Sequence, residues 1–125
     1  MKTINTKKAP QAIGPYSQAK IVGNLVFTSG QIPLKADGSL VSGSFEKESI
    51  QVLDNINEIL KASGSDISNI IKLTVYLTNL ENFGILNRVF KSYFSDSLPA
   101  RSTVEVSKLP KDARVEIEAI GIINE

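Results

Sequence analysis

The stretch Val115-Glu116-Ile117-Glu118-Ala119-Ile120-Gly121-Ile122-Ile123 reads as a strand that needs burial on both sides. With a side-chain period of two, Ile120 and Ile122 fall on the face opposite Ala119, Gly121 and Ile123. A glutamate among such residues is costly to bury unless it holds a water or a substrate. Glu118 therefore reads either as a site residue or as a group at a strand edge that meets water. Upstream, Pro99-Ala100-Arg101-Ser102-Thr103-Val104-Glu105-Val106 sets an arginine at the mouth of another strand, and Leu109-Pro110-Lys111-Asp112 links the two. The planar arginine fork suits a carboxylate, because it makes two parallel charge-assisted hydrogen bonds. Arg101 is also open to the plainer reading of a solvated surface residue. Read together, Arg101 and Glu118 suggest a small pocket for an anionic molecule, with a carboxylate beside it.

Composition narrows the chemistry. The 125 residues include no histidine and no cysteine. That removes the usual neutral-pH base, the Ser-His-Asp and Cys-His nucleophile systems and the nitrogen- and sulfur-ligated zinc sites. Any general base must be Asp, Glu, Lys, Tyr or a held water. No metal and no cofactor is expected. The 14 basic and 13 acidic residues are well mixed, for a net charge of +1, and no basic stripe points to nucleic acid. No signal-like segment is evident near Met1-Lys2-Thr3-Ile4-Asn5, and no apolar run approaches the ~20 residues that span a bilayer. The expectation is a cytoplasmic protein without membrane contact, folded as one domain over residues 1–125 and burying roughly two-thirds of its unfolded surface.

The pattern along the chain is that of an α+β protein. Residues 16–22 and 25–30 flank Gly23-Asn24, a good hairpin turn because both residues tolerate positive φ. Residues 31–43 contain Pro33, Gly38 and Gly43 and read as a loop. Ser44 caps a helix that runs to about Ser63 with Gly64 as its stop, and Phe45, Val52, Leu53, Ile56, Ile59 and Leu60 form its apolar face. Ile70–Leu77 reads as a buried strand. Thr78-Asn79-Leu80-Glu81 reads as a capping box that starts a second helix, with a stripe of Leu80, Phe83, Leu86 or Asn87, Phe90 and Phe94. Residues 101–106 and 114–123 read as the last two strands. The order is β-β-α-β-α-β-β, and a short first strand fits near residues 2–6. Two helices cover one face of such a sheet, yet both faces carry apolar residues. An oligomer that covers the open face is therefore expected.

Other residues that could carry chemistry each have a plain alternative. Asn87 lies on or beside the second helix stripe, where spacing alone favours a buried structural hydrogen bond. Tyr16 follows Ile13-Gly14-Pro15 and reads most simply as a core-edge aromatic. Ser29-Gly30-Gln31 ends a strand, and Gly30 serves equally for a close ligand approach or for a turn. Lys108, Lys111 and Arg114 read as a solvated basic cluster.

The chain resembles the RidA family (YjgF/UK114) of enamine/imine deaminases over nearly its whole length. The residues that carry the resemblance are Ala12-Ile13-Gly14-Pro15-Tyr16-Ser17-Gln18, Thr28-Ser29-Gly30-Gln31-Ile32-Pro33, Leu53-Asp54-Asn55-Ile56, Thr74-Val75-Tyr76-Leu77, Phe83 and Asn87. Its C-terminal part comprises Pro99-Ala100-Arg101-Ser102, Val104-Glu105-Val106, Leu109-Pro110-Lys111-Asp112 and Glu116-Ile117-Glu118. The resemblance implies a chorismate-mutase-like (RidA-like) fold and a homotrimer with clefts between subunits. It implies hydrolysis of 2-imino and 2-enamino acids, such as those released by pyridoxal-phosphate-dependent dehydratases, to 2-keto acids and ammonia. It gives Arg101 the substrate carboxylate and Glu118 the attacking water, and it lines the cleft with Tyr16, Ser29, Gly30 and Asn87. Thr103 stands where many members have cysteine, at a contact made largely through backbone. The segment between Phe94 and Pro99 is short beside other members. Competing readings are a non-catalytic sensor of small carboxylates, an RNA-directed or chaperone-like protein, and a chorismate-mutase-like isomerase suggested by fold alone.

Overall fold

The computed structural model describes residues 1–95 and 97–124. Six strands form one mixed sheet: β1 (Lys2–Ile4), β2 (Ala19–Val22), β3 (Leu25–Thr28), β4 (Ile70–Leu77), β5 (Ala100–Glu105) and β6 (Val115–Ile122). Helices α1 (Phe45–Ala62) and α2 (Phe83–Phe94) complete the domain. The expected element order holds, with the short first strand present. The sheet order is β1-β2-β3-β6-β4-β5, so the last strand slots between β3 and β4 and runs antiparallel to both. Among the described residues only the β4–β5 pair is parallel, and α2 lies in the crossover between them.

β6 alternates as its sequence requires. Val115, Ile117, Ala119 and Gly121 are buried toward the helices, whereas Glu116, Glu118, Ile120 and Ile122 look out from the other face. The core joins that inner face to one side of α1, through Val52, Leu53, Ile56, Ile59 and Leu60, and to Leu86, Val89 and Phe90 of α2. Val22, Phe27, Val104 and Ile122 remain well exposed on strands of the sheet. The two-sided apolar character of the strands is therefore real, and within one chain the second face is uncovered.

Local chemistry explains the element ends. The Ser44 side chain accepts from the Lys47 N–H, and Gly64 follows the helix at φ +87°, a conformation that costs glycine little. In the Gly23-Asn24 hairpin only Gly23 takes positive φ. The second helix departs from expectation. Asn79, not Thr78, caps a tight 3-10 turn over Leu80–Asn82, and α2 begins at Phe83. The Asn79 side chain accepts the Glu81 N–H only two residues on, which favours a tight turn over a helical start. The Glu105 carboxylate accepts the Leu80 N–H across space and satisfies another free donor.

Arg114 also departs from its reading as part of a solvated cluster. It makes a two-point ion pair with Glu48, a buried residue of α1, and lies 5.8 Å from the centre of the Phe45 ring. The pairing ties the start of β6 to the first turns of α1 and raises the Arg114 pKa. Arg114→Ala leaves the Glu48 carboxylate buried without its partner. A loss of about 1–3 kcal/mol in unfolding free energy is expected, readable by urea titration. An unchanged midpoint would show that the pair does not hold the fold.

Two buried amides fasten the loops around the sheet. Asn55 Nδ2 donates to the Leu34 and Ile32 carbonyls at 2.8 and 3.3 Å and so anchors the 31–43 loop on α1. Gln18 Nε2 donates to Pro10 O at 2.8 Å and Thr6 O at 3.1 Å, and Gln18 Oε1 accepts the Thr6 N–H at 2.7 Å. Both residues lie inside segments that carry the family resemblance, and the structure gives them a positional reason. The segment between Phe94 and Pro99 includes Asp96, which lies outside the described residues.

Candidate active site

Arg101 is built into an aromatic seat. Its register partner on β4 is Leu73, a fully buried residue, so its side chain lies on the helix-covered side of the sheet. There the guanidinium carbon sits 5.1 Å from the ring centres of both Phe83 and Phe90. Asn87, one turn along α2, accepts a hydrogen bond from Arg101 Nη2 at 2.8 Å. Stacking on two rings and one amide contact limit where the fork can point. Partial burial draws the Arg101 pKa down, yet arginine stays cationic at physiological pH. Among the described residues no carboxylate pairs with it.

This geometry corrects the reading of Asn87. Spacing favoured a buried structural amide, but Asn87 is exposed and its oxygen positions the arginine. Leu86 and Val89 take the buried stripe instead, which leaves Phe83 exposed beneath the guanidinium. Thr103 lies two residues from Arg101 on the same strand face, opposite buried Val75. Its hydroxyl oxygen is buried without a hydrogen-bond partner.

Glu118 stands elsewhere. It pairs with Thr74 across β4 and belongs to the uncovered face. The Tyr76 hydroxyl donates to Glu118 Oε1 at 3.1 Å. Burial and the nearby Glu118 and Glu116 charges raise the Tyr76 pKa, so its proton stays on that bond. The single pocket expected from the sequence, with Glu118 beside Arg101, is therefore not made within one chain. The sheet separates the two side chains: one faces α2 and the other faces outward. Sequence spacing could not reveal this, because the relative facing of β5 and β6 depends on their common neighbour β4.

Of the remaining expected residues, Tyr16 and Gly30 line a cavity together with Glu116, and Ser29 stands beside Gly30 just after β3. The Ser29 hydroxyl donates to Ser17 O at 2.5 Å, and the Ser29 N–H donates to Gln18 O, which joins the end of β3 to the Tyr16 loop. Tyr16 is exposed, not a core-edge residue, and its hydroxyl accepts the Ile13 N–H at 3.3 Å. Gly30 precedes Gln31, which exchanges two backbone hydrogen bonds with Ile117 of β6. A Cβ on Gly30 would lie 2.4 Å from Glu116 Oε2 and 2.8 Å from its carboxyl carbon. Glycine thus permits a close approach, and what approaches is a side chain of the protein itself. Gly30→Ala must push the Glu116 carboxylate aside, and because that is the flexible end of a half-buried side chain only a small lowering of the melting temperature is expected.

The sequence reading passed over Glu116, although the Val-Glu-Ile-Glu alternation was available to place it on the same face as Glu118. It is half-buried, and burial together with the Glu118 charge raises its carboxyl pKa. Among the described residues no cluster of three or more acidic groups could hold a metal ion, and no helix is long and apolar enough to cross a membrane.

Known proteins share this arrangement of elements. A 2-iminobutanoate/2-iminopropanoate deaminase of Mus musculus is 49% identical over 122 residues, covering 97% of this chain and 90% of the mouse protein. RidA from the Antarctic bacterium Psychrobacter sp. PAMC 21119 superposes with a TM-score of 0.95 at 44% identity, over 98% of this chain and 100% of that one. Escherichia coli TdcF, solved with bound serine, gives 0.94 at 41% identity over 99% and 100% of the two chains. The family model described as Endoribonuclease L-PSP matches residues 6–123. Six strands, two helices, the Arg101 seat and the Glu116–Glu118 strand thus lie in a chain that belongs to the Endoribonuclease L-PSP family, also called the YjgF/RidA family.

Proposed function

We propose that this chain is a 2-imino acid deaminase that hydrolyses 2-iminobutanoate, 2-iminopropanoate and their enamine tautomers to 2-keto acids and ammonia. The observation that carries the reading is the Arg101 seat, in which two rings and Asn87 present a guanidinium fork to a small carboxylate. The similarity to the mouse deaminase across almost the entire chain supports it. A protonated imine is already a good electrophile, so one anchored carboxylate and one placed water suffice. Positioning and charge stabilisation supply the rate. Arg101 holds the substrate carboxylate. Glu118, steadied by Tyr76, orients the water and takes its proton as the oxygen attacks the imine carbon. No cofactor takes part.

In this reading the active assembly is a homotrimer. Arg101 lies on the edge strand β5 and faces α2, whereas Glu118 lies on the uncovered face. Setting the sheet edge of one copy on the open face of the next brings the two together and covers Phe27, Val104 and Ile122. A head-to-tail contact of this kind closes as a ring when its rotation is one-third of a turn. Sedimentation should give a mass three times that of the chain. A stable monomer at micromolar concentration is incompatible with the shared cleft. In this reading the enzyme works in the cytoplasm on small molecules, with neither nucleic acid nor membrane as a partner.

A coupled assay tests the activity. A dehydratase generates 2-aminoacrylate from serine, and keto-acid release is followed with and without this protein. Acceleration is expected, and no acceleration overturns the reading. The serine bound to TdcF favours one second reading, a carboxylate-binding regulator without turnover. That protein would bind 2-keto acids through Arg101 and be indifferent to Glu118→Gln.

A further inference from the structure

We infer that Gln18 is a positioning residue for ligand capture: its buried amide holds the loop over residues 5–17 against the cavity and so sets the place of Tyr16. This inference rests on the deaminase reading, which assigns Tyr16, Ser29 and Gly30 to the substrate cleft, and deepens it.

The loop leaves the sheet after Ile4 and returns at Ala19, and these two residues are register partners on β1 and β2. Its ends are therefore close in space, as in the compact surface loops that often carry function. No helix or strand forms between them. Unstructured connections of this length are uncommon in compact domains and are usually functional or disordered. The loop's own backbone does little to order it. Among the described residues, the one backbone hydrogen bond internal to 5–17 runs from the Tyr16 N–H to Gly14 O, at 2.9 Å.

Order comes from Gln18, whose side chain lies at the base of the loop in a residue only 3% exposed. Both Nε2 protons and the Oε1 acceptor are taken up by Thr6 and Pro10. The Gln18 carbonyl in turn accepts the Ser29 N–H at 2.8 Å, beside Gly30. One residue thus couples the loop to the end of β3. No other side chain does the same work. Glutamate lacks the two donors, asparagine is a methylene short, and methionine has neither donor nor strong acceptor.

Tyr16 moves with the loop. Its N–H is held by Gly14 O, its hydroxyl accepts the Ile13 N–H at 3.3 Å, and its ring would stand 3.4 Å from a Cβ on Gly14. These contacts lie inside the loop, so they fix Tyr16 to the loop and not to the body of the domain. Pro10, Gln11, Ala12, Ile13 and Tyr16 form one wall of the cavity of about 50 Å³, and Gln18 and Gly30 face it from the body.

Removing the amide leaves the Thr6 N–H and the Pro10 carbonyl without their protein partners, and water competes for them. The loop then divides its time between closed and open arrangements. A ligand that needs the closed loop binds in proportion to the closed fraction. Once it is bound the loop is closed, and the chemical step proceeds as before. The effect therefore belongs in KM and affinity, with kcat nearly unchanged.

The test sets wild type beside Gln18→Met, a side chain of similar length without the amide, as intact assemblies well below their melting temperatures. The KM for 2-iminobutanoate and the calorimetric dissociation constant for 2-ketobutanoate should both rise about 10-fold, with kcat within about threefold of parental. A residue that only stabilises the fold would lower the melting temperature and leave KM and affinity parental. That result overturns the proposal, as does a loss confined to kcat. Should the Met variant not fold, wild type decides: saturating 2-ketobutanoate should slow amide hydrogen exchange across residues 5–17 about 10-fold. Exchange indifferent to the ligand overturns the proposal equally. If wild type binds 2-ketobutanoate but hydrolyses no imine, the deaminase reading falls, and the affinity of the Met variant still decides the role of Gln18. If wild type binds no keto acid, both fall.

Discussion

Arg101→Lys is expected to cut imine turnover by about 100-fold or more while the fold and the assembly persist. Lysine keeps the positive charge, so a loss cannot be blamed on electrostatics alone. It loses the planar fork that can hold a carboxylate at two points and whose carbon sits 5.1 Å from the centres of the Phe83 and Phe90 rings. It also has a single nitrogen to divide between Asn87 and the substrate. A carboxylate held at one point swings, and the imine carbon drifts from the water. Stability should change little, because Arg101 is only half-buried and stands on an edge strand. Steady-state assays and a thermal melt check the two halves of this expectation. Parental turnover in the lysine variant removes Arg101 from the mechanism.

Glu118→Gln should lower kcat by a factor on the order of 100 and leave binding of a 2-keto acid nearly unchanged. Glutamine preserves the size of the side chain and one oxygen that can accept the Tyr76 hydroxyl. It cannot take a proton from the attacking water. In the shared cleft the proposed carboxylate anchor is Arg101 of the neighbouring copy, which the substitution leaves untouched. Ligand affinity should hold or improve slightly as repulsion between negative charges falls. The deficit therefore belongs in kcat and not in ligand capture. Titration calorimetry with a keto acid, set beside the coupled assay, separates the two. Hydrolysis at the parental rate would leave Glu118 structural and require backbone groups near Gly30 and Thr103 to hold the water.

Local signals decided the first helix. The Ser44 cap, the Gly64 stop and the apolar face of α1 depend on residues within one or two turns, so the chain announces them directly. The beginning of α2 escaped the same reasoning. Glu105 is 25 residues from Leu80 and nevertheless captures its N–H, and no local rule weighs such a partner. Arg114 was misread for a similar reason, since its partner Glu48 lies 66 positions away.

Sequence by itself determined the strands, their two apolar faces, the residue types that could handle a small anion and the kinship that names the family. All of these follow from periodicity and motif. What only the tertiary structure decided is which face each polar residue occupies. Strand β4 lies between β5 and β6, and its register sends Arg101 to the helix side with Leu73 and Glu118 to the open side with Thr74. The same packing turned Asn87 from a buried amide into the arginine's support and brought Glu116 against Gly30. A side chain's facing is known to its own strand only relative to its neighbours. The sheet order and the covering helices convert that alternation into inside and outside.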